Sequence, residues 1–543
     1  AISIIFIYTR SWFSIPLIFF PLLLSLTYTF ALARLIIGHL NIISGFLVAI
    51  LMGLGIDYGI HLYIRFKQEL LKGNPLPEAV EVVVTKLGRS GLIAMLTTIS
   101  VFSILSFSDF QGFSEFGQIA TIGIICAFIT YYFIFPAQAL FYDKIHWLRK
   151  PKARLFNLKI ANLYSTTPYF LAGLFILLMI FSLILLPGIE FEYDFQRLRG
   201  DSPASDYETE TTNDFGYAFS PTVILTPDKD NLFLIHDALE EIKKESGDKT
   251  VIGIQYSLNL FSKKEYDSKK EIIDRIKENF DNNKDIIRFS LGESRFKNFE
   301  SIMNFEPFDE SKVPENLKKK LMAKKDYLLL LFSPADKNFF RVENIYQLEK
   351  EINSLKEKIR EKNIETAILN ENLIAAKVLD WVKEKGPKAM VVAFGLVYLI
   401  LLVDLKSFRL ATITFLPLFT GLALTGALMS TFHVRLNFIN IVMLPSIVGI
   451  MIDHCIYLSH HILDYSKGAS LKSLQETGSA IILSALTSLA GYASLNIAHH
   501  AGISSIATVV ELGIITCTVC ALFMLPALFE TRKYKIPFAK FKK

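Results

Sequence analysis

The sequence predicts a polytopic α-helical membrane protein, a duplicated helix bundle carrying one extracytoplasmic α/β domain. Three observations predict it. First, 52% of the 543 residues are hydrophobic and 20% charged, against about 45–50% and about 25% in soluble domains. Second, that mild average hides two kinds of chain: residues 1–141 and 388–529 are almost continuously apolar, while 190–385 are rich in Lys, Glu and Asp. Third, the two apolar blocks are copies of each other. Together these exclude an ordinary soluble enzyme, a disordered chain and a small disulfide scaffold.

A spanning helix needs about 20 apolar residues. Spans are expected near 12–33, 41–63, 88–107, 114–140, 165–187, 388–404, 408–430, 438–460, 479–498 and 503–529, with a stub at 1–8. The order is then a first membrane repeat (1–141), a basic linker (142–164), a single helix (165–187), the polar domain (190–385), a second repeat (388–529) and a basic tail (530–543). The basic residues of the short loops (Arg10, Arg65, Lys67, Lys72, Lys86, Arg89, Lys406), of the linker (Lys144 to Lys159) and of the tail (Arg532 to Lys543) fall on one side of an up-and-down trace. The positive-inside rule makes that side cytoplasmic and the inner membrane the location. The domain at 190–385 is then placed outside, in the periplasm of a two-membrane cell.

Net charge is +5, from 57 basic and 52 acidic residues, which gives no argument for a nucleic-acid partner. The four cysteines, Cys126, Cys455, Cys517 and Cys520, lie in apolar segments, so no disulfide framework is expected. Cys517 and Cys520 form a CxxC without a second ligand pair and read as small residues packing in a membrane helix. The chain shows no phosphate loop, HExxH, nucleophile elbow or metal cluster. Neither enzymatic chemistry nor a cofactor is expected.

In the polar domain, 222–226, 250–255, 326–333 and 366–369 read as strands. Residues 229–245, 265–280, 314–324, 343–362 and 371–385 read as helices. The pattern is α/β or α+β. The run QLEKEINSLKEKIREKN reads as the solvated face of a helix.

The repeat aligns TRSWFSIPLIFFP with DLKSFRLATITFLP. It aligns NIISGFLVAILMGLGIDYGIHLYIRF with NFINIVMLPSIVGIMIDHCIYLSHHI, and SGLIAMLTTISVFSILSF with AIILSALTSLAGYASLNI. Arg10 pairs with Lys406, Pro21 with Pro417, Asn41 with Asn437, Gly53 with Gly449 and Asp57 with Asp453, an offset of 396. Thr97 pairs with Thr487, Thr98 with Ser488, Gly112 with Gly502 and Pro136 with Pro526, an offset of 390. Both copies run in the same direction, so they are related by an axis along the membrane normal. Ala1 is then equivalent to Val397, in mid-helix. A further helix and a first outer domain are expected upstream of the sequence as it stands.

Asp57 and Asp453 stand at matching positions inside apolar helices. A charge there costs at least about 2.5–3.5 kcal/mol, and the duplication argues for a function. Gly53 and Gly449, one turn earlier on the same face, admit a neighbouring helix. The hydroxyls of Thr97, Thr98, Thr487 and Ser488 lie on another helix of each copy, within reach of the carboxylates. The functional reading is a proton relay, carboxyl groups held partly dry that exchange protons near neutral pH. The plainer one is that the aspartates join helices by hydrogen bonds. Tyr58 and His454 follow the two aspartates, and His454 either lines the relay or packs beside it. Glu511 is a further relay candidate, while Glu115 is expected at the outer surface. His460, His461, His499 and His500 read as interfacial, and Pro21, Pro136, Pro417, Pro445 and Pro526 as helix kinks.

On GLGIDYGIHLYIRF and GIMIDHCIYLSHHI, on the Thr-rich helix that follows each, and on the polar domain set between the two bundles, the chain resembles the resistance-nodulation-division superfamily, closest to its MMPL and hopanoid-transporter-like branch. The resemblance implies twelve spans and two outer domains, of which this chain would hold part of helix 2 onward. It also implies proton influx coupled to export of hydrophobic or lipid-like substrates, with protons as the coupling ion. The branch carries an Asp-Tyr pair in both central helices; Asp57-Tyr58 matches, and Asp453-His454 departs from it. Expected partners are a lipid substrate, membrane lipids, and a second copy or a periplasmic protein. Two alternatives stay open: a proton-driven accessory subunit of protein translocation, and a lipid- or sterol-sensing membrane domain without pumping.

Overall fold

The computed structural model describes residues 1–41, 45, 47–145, 167–194, 197–198, 203–261, 263–303, 313–337, 339, 341–464 and 469–531. The basic linker beyond residue 145 and the basic tail beyond residue 531 lie outside the described residues. The chain opens with α1 (Ile2–Thr9), α2 (Ser14–Ile36), α3 (Leu47–Leu71), α4 (Leu76–Ser106), α5 (Gln111–Lys144) and α6 (Pro168–Leu185). The polar segment follows, with α7 (Pro203–Phe215), β1 (Thr222–Thr226), α8 (Asp230–Ser246), β2 (Gln255–Tyr256), α9 (Lys263–Asn282), α10 (Lys284–Met303), α11 (Glu315–Lys318), β3 (Met322–Ala323), β4 (Asp326–Leu331), α12 (Val342–Glu361) and β5 (Ala367–Leu369). Then come α13 (Glu371–Leu405), α14 (Phe408–Thr431), α15 (Met443–Asp464), α16 (Ala469–Ala493) and α17 (Ala501–Glu530). Among the described residues, 10 helices are long and apolar enough to cross a membrane, so the protein is a multi-pass membrane protein.

The chain divides into a membrane unit, built mainly from Ala1–Glu192 and Leu379–Lys543, and a polar unit, mainly Ser202–Val378. In the membrane unit α2 to α5 are repeated as α14 to α17. The connecting turn is repeated too: Arg10 and Lys406 both adopt left-handed backbone, at φ 49° and 48°. The central helices are α3 and α15. In each, 83% of the span is buried, against at most 67% in any other. The copies are interlocked, since α3 packs on α16 of the other copy and α15 on α4. At these crossings Ser488 Oγ donates to the Gly53 carbonyl (3.3 Å) and Thr98 Oγ1 to the Gly449 carbonyl (3.1 Å). A Cβ on Gly449 would stand 2.8 Å from Thr98 Cγ2, so the residue must be glycine for the helices to come this close.

Polar contacts mark the two ends of the bundle. At the basic end Lys67 Nζ donates to the Thr9 carbonyl (2.6 Å), Arg89 Nε to Asp404 Oδ1 (3.0 Å), and His460 Nε2 meets Asp404 Oδ2 (2.6 Å). At the other end Asn41 Nδ2 donates to Glu115 Oε2 (2.7 Å), and its repeat equivalent Asn437 donates to Ser505 Oγ (2.9 Å). Pro21, Pro136, Pro417 and Pro526 lie inside continuous helices. Pro445, expected to kink a helix, sits instead in the first turn of α15, where its missing N–H has no intrahelical partner to lose. All four cysteines are free and buried.

The polar unit is a sheet of order β2-β4-β1-β5, with β3 also paired to β4. Every pairing is antiparallel, with Ile224 opposite both Leu329 and Ile368, so the arrangement is α+β of the two left open. Leu232, Ile235 and Leu239 of α8 and Ile345, Leu348, Ile352 and Leu355 of α12 cover the sheet. Each fully buried side chain of this kind is worth about 1.5–3 kcal/mol. The charged run of α12 is its outer face, though Lys358 reaches Glu241 and Glu245 of α8 at 3.0 Å. These carboxylates hold the lysine above its usual range.

Four expectations for this unit change. The strand at 250–255 shrinks to Gln255–Tyr256, after a 3-10 turn over Gly247–Lys249. The helix at 314–324 is only Glu315–Lys318, because Met322–Ala323 turns back as a strand on Asp326–Leu331. The helix at 371–385 runs unbroken into the membrane span as α13. Helices α7 and α10 were not read from the sequence: α7 is polar, and α10 carries a non-helical glycine, Gly292 (φ 72°), that breaks its pattern. The polar unit is also narrower than 190–385. Arg435 clasps Glu190 (2.8 Å) and Glu192 (2.7 Å), Trp381 packs on Phe113, and Lys385 pairs with Asp109, all within the membrane unit.

The packing of α14 on α17 sets a test. A Cβ at Gly421 would lie 2.6 Å from Cys517 Cα, while nothing lies within 4 Å of one at Gly395. Gly421→Leu should cost about 1–3 kcal/mol, read as a lowered thermal midpoint in detergent, and Gly395→Leu should leave the midpoint in place.

Candidate functional site

Asp57 and Asp453 face each other's copy in the middle of the bundle. They are 5% and 7% exposed, and near enough that their charges interact directly. Two like charges in a dry site repel strongly, so the groups that surround them decide what the site can do. These come from across the seam between the repeats. Ser484 Oγ of α16 donates to Asp57 Oδ1 at 2.7 Å and meets His454 Nε2 of α15 at 3.2 Å. Thr98 Oγ1 of α4 lies 3.4 Å from Asp453 Oδ1 and shares its proton with the Gly449 carbonyl. Each aspartate thus draws its hydroxyl partner from the opposite copy.

The Asp57–Ser484–His454 line fixes proton positions. A serine hydroxyl has one proton. Given to Asp57, it leaves Ser484 able only to accept from His454, so the imidazole proton is on Nε2. His454 Nδ1 is then a bare acceptor, buried and without a partner. A protonated Asp57 that donates to Ser484 turns the line round: Ser484 then donates to His454 Nε2, and the imidazole proton is on Nδ1 instead. The line thus has two arrangements of the same heavy atoms, which differ in the protonation of Asp57 and the tautomer of His454.

The symmetric expectation holds only in part. Thr97 and Thr487 do not reach the carboxylates; their hydroxyls bond carbonyls of their own helices, Ala94 (2.8 Å) and Ser484 (2.8 Å). Ser488 bonds the Gly53 carbonyl, and it also lies against Asp57. Tyr58 packs its ring against Phe128 and Tyr131 of α5. With Ser25, Thr29, Thr98 and Asp453 it lines a cavity of about 10 Å³, room for about one water. Glu511 bonds Asn496 (3.1 Å) rather than the aspartate cluster. Glu115 lies in the first turns of α5, at the end of the bundle away from the basic one, buried and held by Asn41, by Gln111 (2.6 Å) and by His39 (3.2 Å). His460 and His461 stand near the C-terminal end of α15, within contact distance of Asp404 (2.6 Å) and Glu476 (3.3 Å). His499 and His500 stand just before α17, His500 as its cap residue.

Ser484 was missed by sequence reasoning. Its repeat equivalent is Ala94, so a search for residues shared by the copies passes over it. The signal was its place one turn before Ser488 on the same face of α16.

Two families match parts of the chain. Residues 1–161 match the MMPL family, and residues 354–534 match the C-terminal part of the protein export membrane proteins SecD/SecF. The membrane protein MJ1562 of Methanocaldococcus jannaschii is 34% identical over 85 residues, 16% of this chain and 22% of that protein. The structure resembles the crystal structure of SecDF, a translocon-associated membrane protein from Thermus thermophilus. The TM-score is 0.58 at 14% identity, over 98% of this chain and 61% of that one. SecDF in its super-membrane-facing form gives a TM-score of 0.54 at 14% identity, over 97% and 59%. The chain therefore spans about a fifth of the curated relative and about three fifths of the SecDF chains. An MMPL match thus lies in one half and a SecD/SecF match in the other, and the fold over nearly the whole of this multi-pass membrane protein is like that of SecDF.

Proposed function

We propose that this protein couples proton flow across the membrane to the movement of polypeptide out of the cytoplasm, as an accessory subunit of protein translocation. The observation that carries the proton part is the Asp57–Ser484–His454 line, which joins the two repeats through groups that can each gain and lose a proton. The SecD/SecF match over residues 354–534 and the SecDF-like fold support the translocation part over export of lipid.

In this reading the basic end of the bundle faces the cytoplasm, and the polar unit lies on the other side of the membrane. A proton entering from outside neutralises one aspartate. That removes charge repulsion from the seam, reverses the hydrogen bonds through Ser484, and shifts α3 and α4 against α15 and α16. The helices that lead to the polar unit, α6 and α13, carry that shift to it. A proton crossing about 100 mV supplies about 2.3 kcal/mol, enough to bias such a two-state seam about fiftyfold. The coupling ion is the proton, and the partners are a membrane channel for polypeptide and the unfolded chain it passes.

The MMPL match over residues 1–161 and the Asp57-Tyr58 pair favour a second reading, export of a lipid-like substrate by the same relay.

Asp57→Asn and Asp453→Asn should each abolish proton flux in liposomes under an imposed pH gradient, with expression intact. In cells they should cause secretory precursors to accumulate. Wild-type flux in both variants contradicts the relay; normal secretion with altered membrane lipid composition favours the second reading. Ser484→Ala breaks the line while keeping both carboxyl groups, and should lower flux by at least about tenfold. Flux unchanged in Ser484→Ala would show that protons do not pass through it.

A further inference from the structure

The aspartate pair lies deep in the bundle, and a proton leaving it toward the basic end has still to travel. His61 is four residues beyond Asp57 on α3, and Tyr457 four beyond Asp453 on α15, each one turn on along the same face. Their rings stack at 4.0 Å between centroids and 15° between planes. They are repeat equivalents, 396 positions apart like the aspartates, so the stack marks the axis between the two copies. One turn further, a second equivalent pair meets: Arg65 Nη1 lies 3.2 Å from His461 Nε2. Glu476 Oε2 is 3.4 Å from Arg65 and 3.3 Å from His461. Beyond them a cavity of about 210 Å³ is lined by Arg65, Lys86, Tyr457, His460, His461 and Asp464.

Along this row of side chains His61, like the Tyr457 hydroxyl it stacks beside, holds a buried polar atom without a partner. It is 4% exposed, and its Nε2 is buried with no hydrogen-bond partner. An unpaired polar atom of this kind costs about 1–3 kcal/mol, and a phenylalanine would stack on Tyr457 without that cost. From Asp57 to Arg65 is eight residues of helix, about 12 Å, too far for one proton hop. Imidazole is suited to the gap, since one ring nitrogen can accept while the other releases.

We propose that His61 is the proton-transfer residue between the aspartate pair and the cavity at the basic end. The inference rests on the proton-coupled reading above and extends it to the exit route. A proton leaving the aspartate side bonds to one ring nitrogen, and the proton on the other nitrogen leaves toward the Arg65–His461–Glu476 cluster and the cavity. The ring then rotates to restore its starting tautomer. No electrons are gained or lost.

The test is proton flux into liposomes holding the chain, under an imposed pH gradient, read by a trapped pH dye. Asp57→Asn serves as the reference for loss of the relay. His61→Phe keeps the stack and should lower flux by at least about tenfold, with its thermal midpoint near that of the wild type. His61→Ala should be equally slow, and added imidazole should restore its flux by occupying the vacated space. Wild-type flux in His61→Phe, with flux lost in Asp57→Asn, overturns the route and leaves the relay standing. Flux lost in both His61 variants without rescue by imidazole assigns His61 a packing role and also overturns the route. Wild-type flux in Asp57→Asn, or no flux in the unaltered chain, overturns the relay and this route with it.

Discussion

A carboxylate in the middle of a membrane bundle is the constraint on which the rest of this structure turns. It cannot be left alone in hydrocarbon, and here it occurs twice, each near enough to feel the other. The protein surrounds each aspartate with the opposite copy: α16 supplies Ser484 to Asp57, and α4 supplies Thr98 to Asp453. The glycines that let the helices approach, the hydroxyls that bond their carbonyls and the stacked His61–Tyr457 pair follow the same crossing. Packing that serves the charge thus also ties the two repeats into one unit.

The duplication is not a perfect copy, and some of its differences lie at the site. Tyr58 faces His454 in the alignment, Ala94 faces Ser484, Arg65 faces His461 and Lys86 faces Glu476. Hydrogen bonding is therefore richer around Asp57, which has a short bond and an imidazole beyond it, than around Asp453, whose hydroxyl contact is long and shared. The two carboxyl groups therefore sit in unlike surroundings.

Much of this was legible in the sequence. Span number, the repeat and the aspartate positions follow from apolar run length and from matched residues such as Asn41 and Asn437, because lipid leaves a spanning chain few options. The polar unit was less legible. Its strands are short, and whether Met322–Ala323 extends a helix or turns back as a strand is decided by its pairing with Tyr327 and Asp326, a contact that periodicity does not encode. At the site, the alignment pointed to Thr97 and Thr487 by virtue of their equivalence, yet both hydroxyls bond their own helix backbone. Ser484 and His61 were hidden because they lack a like residue in the other copy. Equivalence finds the aspartates and glycines that the copies share, and passes over the serine and the histidine where they differ.

In the proposed relay Asp57 and Asp453 exchange protons as a coupled pair across the repeat boundary. Infrared titration of the protonated-carboxyl band, in membranes holding the wild type, Asp57→Asn or Asp453→Asn, tests it most directly. A coupled pair gives a band that appears and disappears reversibly with pH, whose remaining component moves along the pH axis when either aspartate is replaced. Two components that titrate independently, each unchanged by loss of the other, or no titrating band at all, would contradict it.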